Sequence, residues 1–92
     1  MRFAALFLDD LDPRALDADL TRRHFDYLKA HGDRIVAIGG LKNAPEAPFC
    51  GSLWVIEAES LDEARALMDG APYCETGLRP ERRLFVWNRP KP

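Results

Sequence analysis

Hydrophobic residues along this chain follow two spacings, and together they predict six elements of secondary structure. Four stretches carry apolar and β-branched residues in short runs or in alternation, which is typical of strands. Two stretches repeat apolar residues every three or four positions, which is typical of helices with one buried face. The predicted strands are residues 2–9, 33–40, 51–58 and 82–88, and the predicted helices are residues 14–31 and 60–70.

Capping residues mark the ends of both predicted helices. Pro13 is placed to open the first helix, because proline is favoured in the first turn, and Gly32 is placed to end it. Ser60 and Glu63 have the spacing of a capping box at the start of the second helix, and Gly70 follows its last turn. These signals bound the helices independently of their apolar spacing.

The order of the elements, β-α-β-β-α-β, predicts a ferredoxin-like α+β fold. In that fold a four-stranded antiparallel sheet carries both helices on one face. Residues 41–49 and 71–81 are predicted to be irregular connections, because prolines and other turn residues interrupt them. With 92 residues and no internal repeat, residues 1–92 are predicted to form a single domain.

The predicted strands carry large apolar residues on both faces. Trp54 lies next to Val55, and Phe85 lies next to Val86, so that neighbouring side chains point to opposite sides of the sheet. Two helices on one side can cover only one of these faces. Because an uncovered apolar sheet is an association surface, the pattern predicts a homodimer that packs face to face.

Composition and charge exclude several classes of function. The net charge is −2, from 13 basic and 15 acidic residues, and strand 51–58 lacks the aromatic motif of RNA-recognition modules, so no nucleic-acid partner is predicted. No apolar run approaches the ~20 residues that span a membrane. Cys50 and Cys74 are too few and too far apart for a disulfide framework. With no signal peptide evident in "MRFAALFLDD", the predicted location is cytoplasmic.

His24 lies on the apolar stripe of the first predicted helix, four residues after Leu20. It is either a core histidine with a satisfied ring or a general acid or base, for which its ordinary pKa near 6.5 is well suited. A metal site is not predicted, because only His31 shares the helix and no carboxylate completes a ligand set. No cofactor is predicted either, since the glycine motifs of nucleotide-binding loops are missing.

Short motifs, in a fixed order over about residues 2–88, resemble the YCII-related family of the dimeric α+β barrel superfamily. An acid ends the first strand, "RRHFDYLKA" contains a histidine on the first helix, "AIGG" ends the second strand, and "GS" opens the third. "APYCETGL" follows the second helix, where the family has Asp-Pro-aromatic before Gly-Leu. The residues that carry these motifs are Asp9, His24, Gly40, Ser52, Pro72 and Tyr73.

The resemblance implies a homodimer that binds a small organic molecule in a cleft lined by its histidine, here His24. It further implies acid/base chemistry of the lyase or isomerase kind, with the histidine paired to an aspartate and the remaining motif residues binding substrate. The aspartate position is Ala71 in this chain, so the partner of His24 would be Asp9, Asp69, a backbone carbonyl or no group at all. The alternative is therefore a non-catalytic binding or accessory protein. Without a carboxylate at position 71, the pKa of His24 is predicted to lie at or below 6.5.

The other motif residues have structural alternatives. Ser52 is either a strand-end hydroxyl or a hydrogen-bond partner of His24 or of a ligand. Asp9 is either a turn-starting acid or a site residue, and Gly40 is either a turn residue or a place where a ligand approaches the backbone. Tyr73 is either a lid over the cleft or a packing residue.

Overall fold

A computed structural model describes residues 1–8 and 17–88 and shows a four-stranded antiparallel sheet with helices. In chain order the elements are β1 (Arg2–Phe7), α1 (Ala18–Ala30), β2 (Ile35–Lys42), β3 (Phe49–Glu57), α2 (Leu61–Asp69), α3 (Pro72–Glu75) and β4 (Arg82–Val86). The strands lie in the order β2-β3-β1-β4, each antiparallel to its neighbour. The α+β class and the predicted order of strands and long helices are confirmed.

Side-chain caps define where both long helices begin. The Oδ1 atom of Asp17 accepts a hydrogen bond of 2.6 Å from the backbone N–H of Leu20, so α1 begins at Ala18 rather than at residue 14. Pro13, predicted to open this helix, lies outside the described residues. At α2 the predicted cap is confirmed, because the Ser60 hydroxyl accepts a bond of 3.1 Å from the backbone N–H of Glu63.

Two connections are more ordered than the sequence predicts. The hairpin of β2 and β3 extends into the predicted loop 41–49, because Lys42 still pairs with Phe49. Residues Pro72–Glu75 form one turn of helix in a stretch predicted to be irregular. Pro72 stands in that turn, where its missing N–H costs nothing, and the backbone N–H of Cys74 bonds to the carbonyl of Ala71.

The apolar core lies between one face of the sheet and the helices. Its largest fully buried side chains are Phe3, Phe7, Trp54, Ile56 and Met68. The rings of Phe7 and Trp54 meet at 4.8 Å between centroids, across the ladder of β1 and β3. Trp54 is thus covered by this protein's own elements, and a charged substitution there would disrupt the core rather than test an interface between subunits.

The opposite face of the sheet also carries apolar side chains. Leu6 pairs with Leu53, and the neighbouring pairs of the ladder place three more apolar residues on the same side. All of them retain part of their exposure, in contrast to the buried residues on the other face of β1 and β3, which are Phe3, Ala5, Phe7, Trp54 and Ile56, and Phe85 is 46% exposed. This open face consists of Ala4, Leu6, Leu53, Val55 and Phe85. No helix among the described residues is long and apolar enough to cross a membrane.

Gly51 is required where β3 passes close to the end of β1. A Cβ atom at this position would collide with the backbone carbonyl oxygen of Phe7, so we expect Gly51→Ala to lower the free energy of unfolding by about 1–3 kcal/mol. Gly39 on β2 is the matched control, because no described heavy atom lies within 4 Å of its added Cβ. Urea denaturation measures both variants, and equal stability of the two would contradict the close approach at Gly51.

Candidate functional site

Helix α1 places His24 on its buried side. Leu20, His24 and Leu28 follow one another at intervals of four residues, and all three are buried. His24 is only 4% exposed, so its ring lies inside the protein, as its position on the predicted apolar stripe requires. The exposed neighbour Phe25 points away, at 5.8 Å from the imidazole between ring centroids.

Aromatic rings surround the imidazole. The ring of Tyr73 is stacked on it with a centroid distance of 3.8 Å and an interplanar angle of 12°. The ring of Trp54 lies farther away, with its centroid 6.2 Å from that of the imidazole, and belongs to the apolar core. The contact with Tyr73 brings together two residues that the sequence singled out separately, one on α1 and one on α3.

Burial determines the ionisation of His24. Within residues 1–8 and 17–88, its Nδ1 atom is buried and has no hydrogen-bond partner. Loss of solvation, together with the positive charge of Arg79, lowers the pKa of His24 from 6.5 to about 4. The lowered pKa agrees with the prediction made from the alanine at position 71. At neutral pH the imidazole is therefore uncharged and can accept a proton.

Arg79 is the residue that the sequence did not single out. Its side chain is buried, with 6% exposure, and its Nη2 donates a bond of 3.2 Å to the Ser52 hydroxyl. The guanidinium carbon lies 4.6 Å from the ring centroid of Phe7 and 5.5 Å from that of Tyr73. We call His24, Ser52, Tyr73 and Arg79 the histidine cluster. The only local signal for Arg79 is Pro80, which favours an extended backbone at the residue before it.

The other residues predicted for the site differ in how they are connected to the histidine cluster. Ser52 belongs to it through Arg79, and Gly40 is the partner of Ser52 in the ladder of β2 and β3. The absence of a side chain at Gly40 makes room for the ring of Phe49. Pro72 begins α3 one residue before Tyr73, and Asp9 lies outside the described residues.

Asp69 does not serve as a partner of the imidazole in place of the missing aspartate, and the other candidate acid, Asp9, lies outside the described residues. Ala71 is fully buried and belongs to the apolar core. Asp69 accepts a bond of 2.8 Å from Nε of Arg82, which holds its carboxylate at the start of β4. The idea that Asp69 replaces the family aspartate is therefore wrong for this conformation.

Two further features of the described residues bear on ligands. No group of three His, Cys, Asp or Glu side chains among them is arranged to hold a metal ion. A surface depression of about 280 Å³ lies at the start of β4, beside Arg82 and Arg83, and Leu8, Pro80 and Glu81 complete its lining. His24 does not line this depression.

Comparison with known families matches residues 1–88 to the YCII-related domain. The chain belongs to the YCII-related family. Among solved structures, this YCII-related protein resembles 5-chloro-2-hydroxyhydroquinone dehydrochlorinase (TftG) from Burkholderia phenoliruptrix AC1100, in complex with 2,5-dihydroxybenzoquinone. The TM-score is 0.78 at 23% sequence identity, over 98% of this chain and 96% of that one. The likeness shows a shared fold. The comparison with curated proteins finds no match.

The low pKa of His24 predicts how stability depends on pH. The unfolded chain binds the proton near pH 6.5 and the folded protein only near pH 4, so acid favours the unfolded state between these values. Titration of His24 thus leaves the free energy of unfolding unchanged above about pH 6.5 and lowers it by up to about 3 kcal/mol as the pH falls to about 4, below which the loss levels off. NMR titration of the ring measures the pKa directly.

Urea denaturation at several pH values measures the same linkage. His24→Leu has no ring to protonate, so the wild-type protein should lose more stability than this variant over the same pH interval. An NMR pKa above about 6.5 would mean that a carboxylate holds the ring in its charged form, and the account of burial would be wrong.

Proposed function

We propose that this YCII-related protein binds a small organic molecule in a cleft lined by His24 and that His24 acts there as an acid/base group. The observation that carries the proposal is the state of the imidazole. It is buried and uncharged, and its Nδ1 atom has no partner within the described parts of the chain. A polar atom buried without a partner is costly, so its presence here favours a function that uses it.

An uncharged imidazole favours proton abstraction as the first step. His24 would take a proton from a carbon or a hydroxyl group of the ligand, and the electron pair left behind would form a double bond as a leaving group departs. The resulting imidazolium is disfavoured by burial and by Arg79, so it would pass its proton on rather than keep it. General acid/base catalysis of this kind contributes typically ~10²–10⁴-fold.

Arg79 favours a ligand that carries negative charge or gains it during reaction. A guanidinium held in a poorly solvated position interacts with an anion more strongly than it would in water. The fold shared with TftG, described as a dehydrochlorinase in complex with 2,5-dihydroxybenzoquinone, supports a small cyclic ligand and lyase-type chemistry. The proposed substrate-binding residues are Gly40, Ser52 and Pro72, together with Asp9, and Tyr73 is the proposed lid over the cleft.

A second function is favoured by one observation. Ala71 is buried among apolar side chains at the position where the family resemblance implies an aspartate. A histidine without that partner still contacts a ligand but has no carboxylate to stabilise its charged form. The protein would then bind the molecule without converting it, and product analysis after incubation with a bound ligand distinguishes the two functions.

We also propose that the protein is a cytoplasmic homodimer whose subunits meet through the open face of the sheet. The support for the dimer is physical. This small domain exposes apolar side chains on Leu6, Leu53 and Phe85 in one layer, and a second copy of the same sheet would cover them. Burying such a layer removes apolar area from water, which is the main favourable term in association.

The role of His24 in ligand binding is tested with 2,5-dihydroxybenzoquinone as the probe. We expect His24→Leu to fold with similar or greater stability, because leucine fits the apolar stripe and leaves no polar atom unsatisfied. Its affinity for the probe should fall at least about tenfold, as measured by calorimetry. Phe25→Leu is the control, since its side chain is exposed on the same helix. Unchanged affinity in a folded His24→Leu variant would exclude the proposed binding role.

The dimer is tested by a charge on the open face. Sedimentation equilibrium of the wild type should give twice the chain mass of 10.4 kDa. Phe85→Lys should yield a folded monomer, because two lysines cannot be desolvated in an apolar interface. Val86→Lys, at the adjacent and 53% exposed position on the other side of β4, should remain dimeric. A monomeric wild type would contradict the proposal outright.

A further inference from the structure

Tyr73 is buried against the imidazole of His24, at the margin of the apolar core. Its side chain is only 5% exposed, yet it stands outside the continuous cluster of core residues that includes its neighbours Ala71 and Cys74. Its closest ring contact is the parallel stack on His24. The burial of Tyr73 therefore depends on polar and aromatic groups that belong to the candidate site.

The backbone carbonyl of Tyr73 accepts hydrogen bonds from Thr76 and Leu78 within its own segment, whereas its side chain reaches another element through a neutral hydrogen bond. Its hydroxyl group donates a bond of 3.2 Å to Oγ1 of Thr21 on α1. Its helix, α3, is a single turn of four residues with no side-chain cap at its start. Gly70, which ends α2, lies two residues before this turn, and Gly77, with φ of +80°, lies two residues after it, so a conformationally permissive residue stands close to each end. A segment of this kind opens at lower free energy than the whole fold.

The groups around the Tyr73 ring form a complete binding environment for a phenol. The imidazole of His24 lies against the flat face, the Thr21 hydroxyl receives the phenolic O–H, and the guanidinium of Arg79 lies 5.5 Å from the ring centroid. A cation near an aromatic face favours electron-rich rings, and an uncharged imidazole stacks on flat ones. Each of these preferences applies equally to a free ligand of the same shape.

While Tyr73 is in place, His24 is 4% exposed, and its Nδ1 atom is buried with no hydrogen-bond partner among residues 1–8 and 17–88. We propose that the Tyr73 ring occupies the position of the ligand, and that the ligand is a planar, phenol-sized aromatic molecule that stacks on His24 once Tyr73 has moved away. This inference rests on the proposed function for the location of the site. It adds the ligand class and a movable aromatic cover over the imidazole.

Chemical modification of histidine by diethyl pyrocarbonate measures the cover without any ligand. The reagent attacks uncharged imidazole. His31, which is partly exposed at the C-terminal end of α1, is the internal reference, because its rate of modification follows the concentration of active reagent in every sample. In the wild type, His24 should react slowly relative to His31. Tyr73→Ala should speed the reaction at His24 by about thirtyfold or more, since local opening is no longer needed. The rate at His31 should stay the same.

Tyr73→Phe is the matched control, because it keeps the ring and loses only the hydroxyl group. Its His24 should react no more than about fivefold faster than in the wild type, which is the weight of one neutral hydrogen bond. If Tyr73→Ala fails to fold, Tyr73→Leu keeps an apolar side chain without the flat ring, and the same acceleration is expected from it. Unchanged protection of His24 in a folded variant without the ring would overturn the proposed cover.

Phenol tests the ligand class in the folded variant that lacks the ring. Phenol should slow the modification of His24 at least about tenfold and leave His31 unaffected. Cyclohexanol at the same concentration should not protect, because it has the size and the hydroxyl group but no aromatic face. Equal protection by both compounds, or by neither, would overturn the aromatic ligand class.

These outcomes are separate from those of the proposed function. Failure of His24→Leu to weaken binding of 2,5-dihydroxybenzoquinone would remove the function assigned to His24, whereas the modification rates would still report whether Tyr73 covers it. Conversely, rapid modification of His24 in the wild type would show that Tyr73 does not cover the imidazole, and the affinity measured for 2,5-dihydroxybenzoquinone would be unaffected by that result.

Discussion

The packing of Trp54 against Phe7 is the contact on which both the fold and the candidate site depend. These rings meet at 4.8 Å across the two central strands and fill the space between the sheet and the helices. The same two rings also form the boundary of the site, because Trp54 lies 6.2 Å from the imidazole of His24 and Phe7 lies under the guanidinium of Arg79. The packing that stabilises the domain is therefore also what excludes water from its polar groups.

This arrangement has a cost for stability. In a domain of 92 residues the core is small, and part of it is occupied by a histidine and an arginine whose solvation is reduced. An apolar residue at position 24 would fold at least as well, so stability alone does not account for the imidazole. The Arg79 guanidinium contacts the rings of Phe7 and Tyr73 and donates a hydrogen bond to the Ser52 hydroxyl. These contacts offset some of its loss of hydration. Both groups are understandable as parts of a site that binds and polarises a ligand.

Local features of the sequence predicted the elements well where the relevant contacts are close in the chain. The cap of α2 is an example, since Ser60 and Glu63 meet within one turn. The predicted start of α1 at residue 14 is four residues too early, because it rests on Pro13, whereas the side chain of Asp17 supplies the cap in the structure. The one-turn helix α3 was missed because four residues are too few for a periodic pattern. In the site, His24 was found from its position on an apolar stripe, whereas Arg79 was not found at all.

The sequence by itself determined the order of the elements, the two faces of the sheet and the burial of His24, because each follows from spacing along a strand or a helix. Only the tertiary structure decided what His24 contacts. Tyr73 is 49 positions away from it in the chain and Arg79 is 55 positions away. These residues come together because α3 packs against α1 and the segment after α3 places Arg79 beside Tyr73 and Ser52. The charge state of the imidazole depends on that meeting as well, since desolvation and the nearby cation act through space and not along the chain.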